Sequence, residues 1–166
     1  TIVLNKGQTY HVMASTSITA TNLDFSGTVI TADKPVAVYG GNQCTYVGGC
    51  PACDHLYEQM RPVETWGKTF YFSATQKPSV SFDIARVYAL ENGTSFSMNG
   101  VQQGTLNSRQ FSDVQITSGT NITSTKPIMV MQILRGSSCS APPFGIDPLL
   151  LDVSPVEQFA ASYIFA

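Results

Sequence analysis

The sequence predicts an all-β fold made of two related β-sandwich-like units in tandem, and three observations carry that prediction. Apolar residues alternate at a period of two between clusters of turn residues, whereas helical periodicity is nearly absent. About a fifth of the 166 residues are Ser or Thr and only 12% are charged, a composition that suits strands and turns. The third observation is self-repetition. Residues 26–35 read SGTVITADKP and residues 118–127 read SGTNITSTKP, identical at seven of ten positions with an offset of 92 (118 − 26). A second block recurs at an offset of 93 (155 − 62), with Pro62-Val63-Glu64 matching Pro155-Val156-Glu157. Trp66 then matches Phe159, Phe70 matches Tyr163 and Phe72 matches Phe165. Similarity at a fixed period signals one structural unit used more than once, and about 93 residues is the size of a β-sandwich domain rather than of a solenoid repeat.

The elements follow in chain order. Residues 36–39 and 128–134 are largely apolar and read as central strands, each preceded by a Lys-Pro pair where proline can open a strand without removing a ladder bond. Residues 40–53 (GGNQCTYVGGCPAC) form a Gly- and Cys-rich insertion in the first copy, against the Ser- and Pro-rich residues 135–146 of the second. Short helical turns are expected near residues 56–60 and 156–161. Residues 79–89 read as a strand with Val80, Phe82 and Ile84 on one face, changing phase at Val87 and Ala89. Residues 94–98 alternate and run into Asn99-Gly100, a strong hairpin signal, with residues 101–103 returning.

The copies divide the chain into residues 1–76 and 77–166, expected to pack as one module. The first copy is incomplete, because residues 79–100 have no counterpart before residue 1. The start, TIVLNKGQ, lacks a signal peptide's basic and long apolar regions and reads as the interior of a longer or processed chain. Such ends suggest neighbouring modules, identical or in tandem, that complete each other head to tail through residues 1–6 and 160–166.

Charge and hydropathy narrow the partners. A net charge of −2 with scattered Lys and Arg gives no basic stripe for nucleic acid. No run of 18 apolar residues is present, so no helical membrane span is expected. Four cysteines and two sequons, at Asn92-Gly93-Thr94 and Asn121-Ile122-Thr123, favour an extracellular or cell-surface setting with glycans as possible partners.

The strings DKPVAVYGGNQC, CDHLYEQMRPVETWGKTF, RGSSC, DPLLL and PVEQF resemble the IgGFc-binding family, whose module also occurs in bacterial and invertebrate secreted or surface proteins. The resemblance runs from Leu4 to Phe165. It implies an extracellular all-β module found beside adhesive or mucus-type domains, without known catalysis. It also implies a pairing of Cys44 with Cys53, and Cys50 departs from the family pattern.

Cys50-Pro51-Ala52-Cys53 has the CxxC spacing of a zinc knuckle, but Cys139 has no partner near it in sequence. Two disulfides are the favoured reading, with no metal or other cofactor. Four cysteines allow three pairings, of which Cys44–Cys53 with Cys50–Cys139 is favoured because the second bond would staple corresponding loops together. Asp54 and His55 are adjacent, so on an extended segment they point to opposite faces and cannot form a relay. No nucleophile, base and oxyanion donor come together, and no catalytic residue is assigned. Asp54/Asp147 and Glu64/Glu157 recur in both copies and read as the same capping or turn bond made twice. Trp66 and its matched aromatics read as core plugs. Tyr39, Tyr46, Tyr57 and His55, in and beside the insertion, are the candidate contact residues, because loops at the end of a sandwich carry binding.

The sequence thus predicts a non-enzymatic structural or interaction module, with an adhesin or lectin-like domain for a glycan or immunoglobulin-type protein as the alternative. Non-reducing peptide mapping should find two intrachain disulfides and no free thiol. Stoichiometric zinc released by a chelator, with four alkylatable thiols, is the contrary result.

Overall fold

The computed structural model describes residues 1–14, 24–50, 53–75, 82–136, 139, 147–162 and 164. Among these residues the fold is all-β. Strand β1 is Tyr39–Thr45, β2 Asp54–Gln59, β3 Gly67–Ser73, β4 Asp83–Ala89, β5 Thr94–Met98, β6 Val101–Leu106, β7 Phe111–Ile116, β8 Gly119–Leu134 and β9 Leu149–Val153. Strands β1 and β2 form a two-stranded ladder, and the other seven form one curled sheet.

The sheet is organised by the 16 residues of β8. Residues 119–123 pair with β3 along one edge, while Ile122, Thr123 and Ser124 pair with β5 along the other. Residues 128–133 pair with β4, and residues 130–134 pair with β9. Proline was expected to open the strand; instead β8 runs through Pro127. The ladder registers have no partner for residues 125–127, so the missing proline N–H interrupts no ladder bond there. The buried side chains of both halves meet in one core of Phe70, Ala85, Val87, Phe96, Ile122 and Ile128 with their neighbours.

Local chemistry explains the hairpin. Asn99 and Gly100 adopt positive φ (50° and 80°), the geometry a two-residue turn needs to match strand twist. Strand β6 extends beyond the expected residue 103 to Leu106, with a register shift between Phe96 and Ser97.

Strand β4 corrects the predicted phase. Its inward face is Asp83, Ala85, Val87 and Ala89, and its ladders with β7 and β8 run without a shift. Asp83 can face the core because its Oδ2 accepts Thr75 N–H (2.7 Å), Thr75 Oγ1–H (2.9 Å) and Gln132 Nε2–H (2.8 Å). Partnered burial makes a carboxylate tolerable where an apolar residue was expected. Residues 79–81 lie outside the described residues.

Three further expectations are corrected. Residues 36–38 are not in a strand, and β1 begins only at Tyr39, in the small ladder rather than at the centre of a sheet. Most of residues 56–60 belong to strand β2, and the short 3-10 turn comes later, at Val63–Thr65; the second turn is Val156–Gln158. Trp66 is half-buried, with its indole N–H donating to Arg61 O at 3.4 Å, and Phe159 is 50% exposed. The core aromatic of that run is Phe70, 1% exposed, with Phe72 packed partly against the core. Tyr163 and Phe165 lie outside the described residues.

Two local geometries recur along the chain. In β1–β2, Tyr39 pairs with Gln59 and Asn42 with Leu56; in β8–β9, Met131 pairs with Asp152 and Leu134 with Leu149. The first strands of these ladders differ by 92 positions (131 − 39) and the second by 93 (152 − 59). Pro62 and Pro155 enter their 3-10 turns with near-equal backbone angles, φ −66° ψ 149° and φ −71° ψ 155°.

Emptying the Phe70 site should cost about 3–5 kcal/mol, the range for truncating a core aromatic. Phe70→Ala should therefore lower the urea midpoint well below that of Trp66→Ala, whose side chain is half in solvent. Equal midpoints would show that Trp66 carries as much packing as Phe70.

Candidate functional site

The small ladder presents an exposed polar–aromatic face. Side chains of a strand alternate, so His55, Tyr57 and Gln59 of β2 point one way, and all three are exposed. Tyr39 pairs with Gln59 and Gly41 with Tyr57, which makes Tyr39 and Tyr57 diagonal neighbours across the ladder. Their rings stack with centroids 5.1 Å apart and planes within 3°, although they are 51% and 63% exposed. Glycine at position 41 is required, because a Cβ there would fall on the Leu56 carbonyl and lie 3.2 Å from the Tyr57 ring.

Tyr46 is 61% exposed at the entrance to the 3-10 turn Val47–Gly49, beyond the end of β1. His55 is largely in solvent, and its Nδ1 lies 3.3 Å from Asp54 Oδ1. This corrects the expectation that these adjacent side chains point apart: both lie at the start of β2, where the Asp54 carboxylate also turns back to the His55 N–H. Of the four candidate contact residues, the fold therefore brings Tyr39, Tyr57 and His55 onto one ladder and leaves Tyr46 on the adjoining loop. An exposed stacked pair offers rigid, amphipathic contact area, the property that makes tyrosine effective at protein interfaces.

One bond closes this ladder and others hold it to the rest of the fold. Cys44 and Cys53 are bridged with Cα atoms 5.0 Å apart, which closes the loop between β1 and β2. Cys50 and Cys139 are bridged across 89 positions, with Cα atoms 5.6 Å apart. A cross-link over so long a loop removes denatured-state entropy worth about 4–5 kcal/mol in the chain-entropy model. Arg135 donates to Gly48 O at 3.1 Å and lies over the Phe82 ring at 4.1 Å. Arg61 reaches from the end of β2 to β9, where Nε donates to Asp152 Oδ2 (2.7 Å) and Nη2 to Ser154 Oγ (3.1 Å). Nothing local in the sequence marks Arg61 or Asp152, because the two residues stand 91 positions apart.

The recurring acids do not behave as a pair. Glu157 Oε1 accepts the Lys68 backbone N–H at 2.9 Å, whereas no hydrogen bond or ion pair is found for Glu64 among the described residues. Asp54 accepts its neighbour's N–H, from His55, at 2.9 Å, and Asp147 is exposed. The sequons also differ. Asn92 is exposed in the turn before β5, with Oδ1 accepting Ser108 N–H at 3.0 Å. Asn121 is half-buried within β8, and its Nδ2 donates to Phe70 O at 3.3 Å.

Among the described residues, no group of three or more His, Cys, Asp or Glu is placed to hold a metal ion. No helix among them is long and apolar enough to cross a membrane.

The described residues are thus all-β, stapled by two disulfides, and present an exposed aromatic ladder. The profile of the family described as IgGFc binding protein matches residues 1–166, and the chain belongs to that family. One relative is the IgGFc-binding protein of Homo sapiens, 37% identical over 68 residues, which is 41% of this chain and 1% of that protein. The chain therefore spans a very small part of the curated relative it matches. No solved structure matches it. The family consists of extracellular or secreted proteins and is not an enzyme family.

Burial is the largest influence on Asp152 and pushes its carboxyl above the ordinary value, against the opposing pull of Arg61 and with a smaller push from Glu58. A carboxyl whose folded-state pKa is raised takes up its proton first in the folded chain. Its ionisation therefore removes stability as pH rises through the carboxylate range, and protonation restores it. Arg61→Ala leaves that charge without its cation and should cost about 3 kcal/mol at pH 7, less at pH 4. Urea unfolding at the two pH values measures this, and Asp152→Asn should remove most of the pH difference.

Proposed function

We propose that this chain is a non-enzymatic extracellular structural and interaction module, built from two tandem units of one β-repeat, residues 1–76 and 77–166. The observation that supports the reading best is the origin of β3. That strand follows the Pro62 turn, which the repeat assigns to the first unit, yet it forms a ladder with β8 in the second. Units of this kind interlock by giving a strand to the next, and strand addition is a general route to protein assembly. The shared register of β1–β2 and β8–β9 supports the same division. In this reading the module sits in a surface, mucus or fibre protein and engages further units head to tail.

A second reading rests on the stacked Tyr39–Tyr57 pair. As an adhesin-like surface, it would take an immunoglobulin-type protein, the partner class in the human relative's name, or a glycan. Tyr46 and His55 would add contacts from the loop and the neighbouring position. Asn92, in its exposed turn, suits glycan attachment better than Asn121.

Biolayer interferometry against immobilised immunoglobulin Fc, mucin and the chain itself tests the function. Saturable binding to a protein surface is expected. If Tyr57→Ala reduces that binding at least tenfold with an unchanged melting temperature, the tyrosine face carries recognition. If it does not, binding runs through the sheet edges. Absence of binding to every protein surface would sink the interaction reading.

A further inference from the structure

The inference rests on the tandem-unit reading and concerns the cleft between residues 32–36 and the turn that holds Pro62 and Glu64. Offsets of 92 and 93 map this cleft onto residues 124–128 with Pro155 and Glu157. At the mapped place β3 lies in the corresponding site. Gly67 pairs with Ile128, and Phe70 pairs with Ile122. Glu157 accepts the Lys68 N–H at 2.9 Å. Gly67 sits so close to the turn that an added Cβ would fall on Pro155 and lie 2.6 Å from Glu157 Oε2.

Every mapped group in the first unit is exposed. Ile30 is 60% exposed and Val36 is 56% exposed, whereas their counterparts Ile122 and Ile128 are both 0% exposed. Pro62 is exposed and Pro155 is fully buried. Both turns carry near-equal backbone angles at their caps, so Glu64 holds the same turn position as Glu157, which meets a backbone donor. Residues 24–27 hold the start of this segment against the second unit. Arg86 donates to Ser26 Oγ at 3.2 Å and lies 3.5 Å from Asp24 Oδ2.

We infer that this cleft is an acceptor for a β-strand of the Gly67–Ser73 kind from another unit of the same repeat. The incoming strand runs antiparallel to residues 27–36. Its glycine lies opposite Val36 against Pro62, its first aromatic lies opposite Ile30, and Glu64 accepts the N–H that follows the glycine. Glycine is the specificity element, because Pro62 leaves no room for a Cβ if it sits as Pro155 does. This chain's own segment mapped onto β3 begins with Ala160, so the cleft discriminates against it and selects a Gly-bearing strand.

A fluorescent peptide of residues 66–75 (WGKTFYFSAT), titrated with the whole chain and followed by anisotropy, tests this. Saturable binding is expected. It should weaken at least tenfold when the peptide carries Gly67→Ala, or when the protein carries Glu64→Ala or Ile30→Asp. Both protein positions are exposed, so the fold should survive, and thermal melting checks that. A peptide of residues 159–166 should bind at least tenfold more weakly. No saturable binding, equal binding of the Gly and Ala peptides, or indifference to Glu64→Ala overturns the proposal. A homodimer, seen by light scattering, that the peptide dissociates supports the proposal, because a second copy carries the same Gly67–Ser73 strand. If the peptide fails while the chain still binds a protein partner, the acceptor cleft falls and the interaction reading stands.

Discussion

Strand β8 is the constraint on which the rest of the structure depends. Among the described residues it is the one element that pairs with β3, β4, β5 and β9, so its register sets theirs. Two features let a single strand serve two sets of partners. Residues 125–127, including Pro127, contribute no ladder pair, so the strand can change neighbours there without orphaning a donor. The side chains on either side of that point, Ile122 and Ile128, are both fully buried in the same core. The cost is a buried polar position, where Gln132 donates to Asp83 Oδ2 and to Ser73 O and so ties β8 to the ends of β3 and β4.

The exposed ladder is a smaller and more polar structure that depends on attachments. Its strands bury little of their own, and a two-stranded ladder alone is marginal in water. The Cys50–Cys139 bridge, the Arg135–Gly48 contact and the Arg61–Asp152 pair all connect it to the larger sheet. This arrangement suits recognition. The scaffold is rigid where it is stapled, and the aromatic pair faces solvent without a packing role that a partner would have to displace.

The cleft near Pro62 and the tyrosine ladder both lie within residues 30–64 but use different chemistry. One presents a turn, a carboxylate acceptor and exposed aliphatic side chains suited to a strand. The other presents ring faces suited to a side-chain or glycan surface. A module with both can sit in an assembly and still recognise an outside partner.

Local sequence determined the elements whose causes are local. Asn99-Gly100 sets a hairpin because few other dipeptides accept two positive φ angles, and the run at residues 128–134 reads as buried because nearly every residue in it is apolar. The recurrence of residues 26–35 at 118–127 was legible as residue identity, and Tyr39, Tyr46 and Tyr57, expected as contact residues, are all exposed. Tertiary structure alone decided which face of β4 turns inward, because both faces carry apolar side chains and the outcome rests on Asp83 finding Thr75 and Gln132. It also decided that residues 36–38 stay out of a strand while residues 128–130 are buried in one. The two segments are similar in sequence, but only the second has β4 and β9 to pair with. The stacking of Tyr39 on Tyr57, the Arg61–Asp152 pair and the grip of Glu157 on β3 likewise depend on ladder register and long-range packing. Period-two patterning carries no record of which strand lies next to which, and that is why these features emerged only from the fold.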